Sequence, residues 1–88
     1  MTNTEIIKDI HDRFKCSYYN NNRKTLKLMK KGYLIVISIV DTNQGEMVQL
    51  LRYKIGDIHS YCKELYLPVG QYNANSMQTL IENLLTVY

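Results

Sequence analysis

The apolar positions of this chain change their period twice. In the first segment Ile6, Ile7, Ile10 and Phe14 recur at helical spacing, while Lys8, Asp9, Asp12 and Arg13 fill the opposite face. Ahead of them, Thr2-Asn3-Thr4-Glu5 has capping-box spacing: the Thr2 hydroxyl accepts from an early backbone N–H and Glu5 reaches back. The pattern predicts an amphipathic helix that packs by one stripe.

From Lys15 to Lys54 the spacing is that of strands. Cys16 to Tyr19 is a short β-prone run, and Asn20-Asn21-Asn22 favours a turn. Thr25 to Lys31 alternates, with Leu26 and Leu28 facing away from Thr25, Lys27 and Met29; Gly32 then permits a tight turn. Tyr33 to Val40 is rich in β-branched residues and apolar on both sides, as expected of a central strand buried on both faces. Asp41 to Gly45 reads as a hairpin loop and Met47 to Ile55 as the return strand.

Beyond Gly56 a helical period returns. Asp57 is placed as a cap, Ile58, Tyr61, Cys62 and Leu65 form a stripe, and Pro68 limits the helix to a short one. Residues 69–73 read as a connection. Asn75 or Ser76 then caps a last helix with the stripe Met77, Leu80, Ile81, Leu84, Leu85 and Tyr88. The expected fold is α+β, a single domain over residues 1–88. It has an N-terminal helix, a three- or four-stranded antiparallel sheet with Cys16–Tyr19 as the fourth strand, and two C-terminal helices packed on one sheet face.

Composition adds bounds. A hydrophobic fraction of 45% and a charged fraction of 22% are those of a folding domain. At 88 residues the core is thin, so burial against a partner or a second copy would supplement it. No stretch has the roughly 20 apolar residues of a membrane span, and the N-terminus lacks the apolar core of a signal peptide. A cytoplasmic location follows, with Cys16 and Cys62 as reduced, buried thiols.

Charge changes the picture more. Between Arg13 and Val40 lie seven cations (Arg13, Lys15, Arg23, Lys24, Lys27, Lys30 and Lys31) and no acid, against a net charge of +3 for the whole chain. Such a block attracts anionic partners. Tyr18, Tyr19 and Tyr33 lie within it and suit contacts to phosphates, bases or an acidic protein surface. The expected partner-binding residues are therefore Tyr18, Tyr19, Arg23, Lys24, Lys27, Lys30, Lys31 and Tyr33. The competing explanation is that these lysines protect a sheet edge from aggregation.

Patterns for catalysis are weak. His59 and Cys62 are three residues apart and His11 lies near Cys16, but neither the cysteine nor the histidine pair of a zinc signature is present. Cys16 with His59, or Cys62 with His11, lacks the context of an activated thiol. Asp9 and Asp12 lie on a face read as solvated, and the four isolated glycines make no phosphate loop. No catalytic residue, metal or cofactor is expected.

Asn, Ile, Lys and Tyr make up 33 of the 88 residues, a bias of A/T-rich codons. With that bias, the order of Thr4–Phe14, Lys24–Ile55, Asp57–Leu65 and Ser76–Tyr88 resembles the layout of small phage-encoded inhibitors of bacterial defence, the anti-CRISPR-like proteins. The resemblance spans the chain and lies in the order of elements. It implies a non-enzymatic inhibitor or regulator that docks on a host protein or a protein–nucleic acid complex. Several such inhibitors are acidic mimics of DNA; the basic block departs from that pattern, and no residue role is carried over. Direct nucleic-acid binding, or sequestration of a small anionic nucleotide, is the alternative.

Overall fold

A computed structural model describes residues 1–19 and 22–86 and, at Asn22 and residues 57–62, the backbone alone. Helix α1 (Asn3–Phe14) begins at the expected capping box: Thr2 Oγ1 accepts from the Glu5 N–H at 3.2 Å and the Thr2 N–H donates to Glu5 Oε1 at 2.8 Å. It ends where Lys15 turns left-handed, at φ 56°. Its stripe of Ile6, Ile7 and Ile10 is buried.

Five strands follow: β1 (Ser17–Tyr19), β2 (Asn22–Lys30), β3 (Tyr33–Thr42), β4 (Gly45–Lys54) and β5 (Asp57–Pro68). They form one antiparallel sheet in sequence order, β1-β2-β3-β4-β5. A single 3₁₀ turn (Val69–Gln71) leads to α2 (Ala74–Leu85). Leu26, Ile35, Ile37, Val48, Leu50 and Leu67 bury one sheet face against α1 and against Met77, Ile81, Leu84 and Leu85 of α2.

Three expectations are corrected. The segment after Gly56 is a strand rather than a helix, so the sheet has five strands and only one long helix follows it. In β5, Leu65 and Leu67 stand in register with the core residues Leu50 and Val48, while Glu64 and Tyr66 stand on the other face. The apolar positions that also fit a helical stripe were thus decided by pairing. Gly56, at φ 96°, makes the tight return from β4, and β5 covers the edge β4 would otherwise expose. Pro68 is tolerated at the end of an edge strand. The side chains of Ile58, His59, Tyr61 and Cys62 lie outside the described residues, as do Asn20, Asn21 and Tyr88.

The second correction concerns β3, expected to be buried on both faces. Ile35 and Ile37 are buried, but Leu34, Val36 and Val40 are only half-buried, because both helices pack on the opposite side. The cap of α2 is Asn73, two residues before the earlier of the expected caps. Its side chain accepts from the Ser76 N–H at 2.8 Å and Ser76 Oγ accepts from the Asn73 N–H at 3.1 Å.

Candidate binding surfaces

The seven cations of the basic block do not form one patch. Arg13 hydrogen-bonds Asp9 on α1, and Lys15 ends that helix. Arg23 and Lys24 lie at the start of β2 and Lys30 at its end, roughly 24 Å away along an extended strand. Lys27, between them, is on the sheet face away from the helices, in register with Val36.

The tyrosines separate in the same way. Tyr18 stacks on His11 with ring centroids 4.4 Å apart, and the Arg23 guanidinium lies 5.6 Å from its ring. Tyr33 packs against the core beneath the Arg52 guanidinium, 4.5 Å from the ring centroid. Both rings are engaged within the fold. Tyr19 is the exposed member of the three.

One end of the sheet gathers cations from two hairpins. Lys31 and Gly32 join β2 to β3 with φ values of 53° and 80°, the two-residue type I′ turn that matches strand twist. Lys30 pairs with Tyr33, and Tyr33 pairs with Lys54 on the next strand. The Ile55 N–H donates to the Gly32 carbonyl at 3.1 Å, tying the β4–β5 turn to the β2–β3 turn. Lys30, Lys31 and Lys54 are exposed, with no ion pair to any of them among the described residues, and Ile55 beside them is 49% exposed. The Asp57 backbone pairs with Lys54 in the ladder and closes the β4–β5 turn. The basic block concealed the contribution of Lys54 and Ile55, which follows from the equal lengths of β3 and β4.

The open sheet face is the second surface. Its centre consists of the half-buried Leu34, Val36, Val40, Met47, Leu51 and Tyr53, and Met29 at its margin is 64% exposed. Clefts lie at both ends, one of about 310 Å³ between Tyr19, Leu34 and Tyr53 and a shallower one of about 560 Å³ beside Met47 and Tyr66. A third cleft, about 310 Å³, lies between the start of α1 and Arg23, Lys24 and Ile39. The Asn3 amide crosses from α1 to the Glu46 carboxylate.

The titratable groups with resolved perturbations have structural causes. The Tyr72 hydroxyl donates to Asp9 Oδ2, and Arg13 donates to the same carboxylate at 3.2 and 3.4 Å. The Tyr72 bond first and the Arg13 bond second hold the Asp9 carboxyl below its ordinary range. Burial and the bond to Asp9 push the Tyr72 phenol well above its own. Asp9 therefore docks α1 onto the connection before α2, on a face the sequence suggested was solvated. Asp12 is lowered by hydrogen bonds from His11, at 2.9 Å, and from Lys8, at 3.1 Å.

Burial pushes the Cys16 thiol up to about 11, which suppresses the nucleophilic thiolate at neutral pH. Among the described residues no three His, Cys, Asp or Glu side chains gather into a metal site, and no helix is long and apolar enough to cross a membrane. No known protein family, curated protein or solved structure matches this chain.

Proposed function

We propose that the chain is a non-enzymatic binding domain whose paired hairpin tips dock on the acidic surface of a protein partner. The observation that supports this most is the Ile55–Gly32 backbone bond, which fixes Lys30, Lys31, Lys54 and the exposed Ile55 on one preorganised end. A rigid end of this kind loses little conformational freedom on docking. Its chemistry, an apolar anchor ringed by cations, suits a pocket with an acidic rim.

Lys31 adds to the argument. The first central position of a type I′ turn favours Asn, Asp or Gly, so a lysine held at φ 53° costs about 1 kcal/mol of local strain. Placing a cation there is understandable if the cation is used. Direct nucleic-acid binding has less support, because stacking on successive bases needs free aromatic faces and Tyr18 and Tyr33 are already covered.

Capture from a lysate of the native host, with and without nuclease, tests the reading. A specific protein retained after nuclease treatment is the expected result. Capture lost with nuclease, together with oligonucleotide affinity that falls steeply with salt, would replace it with the nucleic-acid reading.

A further inference from the structure

We infer that the open sheet face is the contact between two copies of this chain, packed face to face about a two-fold axis along the strands between β3 and β4. The ladder aligns residues of β2, β3, β4 and β5 into rows across this face. One row reads Lys27, Val36, Leu51, Glu64, and the next reads Thr25, Ser38, Gln49, Tyr66. A rotation about the stated axis exchanges β2 with β5 and β3 with β4 while keeping each row at its own level.

The rows are self-complementary under that operation. Lys27 of one copy then faces Glu64 of the other, twice by symmetry, and Val36 faces Leu51. Ser38 faces Gln49 in the neighbouring row, so the polar positions also meet. On the outer rows Leu34 meets Tyr53 and Val40 meets Met47. Cation meets anion, apolar meets apolar and polar meets polar at these positions, which is what an isologous interface requires. An axis across the strands would instead oppose Lys27 to residues of its own strand and leave Glu64 without a cation. Sheets packed in this way cross at roughly 30°, an offset that the long Lys27 and Glu64 side chains can span.

Size supports a reversible pair. With strands about 4.8 Å apart and about 3.4 Å per residue, the face from β2 to β5 and from Leu34 to Val40 covers roughly 400 Å² in projection. Two copies with their side-chain relief bury on the order of 1,000 Å², at the lower limit for a specific interface, a size that suits a weak, reversible pair with an affinity on the order of micromolar rather than a permanent one. Because the axis runs along the strands, both pairs of hairpin tips emerge at the same end, and the dimer presents its cationic ends side by side.

The test is sedimentation equilibrium across about 1–200 μM, chosen to bracket that affinity, on the wild type, Lys27→Glu, Glu64→Lys and the double swap. Circular dichroism checks that each variant is folded. The wild type is expected to dimerise. Each single reversal sets like charges against each other twice and weakens the dimer about tenfold or more; the swap restores it to within a few-fold. A wild type that is monomeric throughout, single reversals without effect, or a swap that fails to restore association would each overturn the inference. This readout needs no partner, so it stands or falls apart from the docking of the hairpin tips.

Discussion

Replacing Arg52 tests whether a charge placed in the core stabilises this fold. Arg52 is 8% exposed on the helix-covered face of β4, in register with the buried Ile35. Its Nη1 donates to the Leu84 carbonyl in the last turn of α2, and the guanidinium lies over the Tyr33 ring. Lys63 reaches the neighbouring Asn83 carbonyl at 3.4 Å, so two cations from adjacent strands meet the negative end of α2.

Arg52→Met keeps most of the stem volume and removes the charge. The hydrogen bond of an ionised donor contributes about 1.5–3 kcal/mol and the cation–π contact about 1–2 kcal/mol, and the Leu84 carbonyl is left without this partner. Against these stands the desolvation regained when a charge leaves the interior, which in some proteins makes such replacements neutral. Loss of the charged donor and of the ring contact together outweighs that gain here, giving a net loss of about 2 kcal/mol, or roughly 10 °C in Tm for a domain of this size. Urea unfolding of wild type, Arg52→Met, Tyr33→Leu and the double variant measures it, with a coupling of about 1 kcal/mol expected between the two sites. Arg52→Met within about 0.5 kcal/mol of wild type would refute the reasoning.

Two further outcomes follow from named contacts. Tyr72→Phe should flatten both limbs of the stability–pH curve. The depressed Asp9 carboxyl contributes stability that is present above about pH 4 and lost as pH falls through its folded value, while the raised Tyr72 phenol contributes stability that is lost as pH rises above about 10. Denaturation midpoints between about pH 2 and 11 check this, and a variant with unchanged limbs would contradict it. In a Cys62→Ser background, Cys16 should react with a disulfide reagent slowly when native and at the free-thiol rate in urea, since burial holds its thiol up to about 11; equal rates would contradict that placement.

Much of the fold was legible because local signals and tertiary pairing agreed. The Thr2–Glu5 box, the Lys31-Gly32 turn and the Met77–Leu85 stripe each specify one structure by chemistry confined to a few residues. The segment at 57–68 misled because Ile58, Tyr61, Cys62 and Leu65 fit a helical stripe, and only pairing with β4 selects the strand. A central apolar strand likewise looks the same whether its second face meets a layer of this chain or is left open, so the open face could not be read from β3 alone. The candidate site was half legible: Lys30 and Lys31 stood in the basic block, whereas Lys54 and Ile55 join them through register across two hairpins.

Charge reversal at two separate places bears most directly on the proposed docking end. Lys30→Glu/Lys31→Glu/Lys54→Glu removes the cations of the hairpin tips, and Arg23→Glu/Lys24→Glu makes a comparable change at the far end of β2. Capture of the same nuclease-resistant partner is then compared between these variants and the wild type, all shown to be folded. Loss of capture with the tip variant and retention with the other is the predicted result. Full capture by the tip variant, or equal loss with both, would contradict a docking end built from Lys30, Lys31, Lys54 and Ile55.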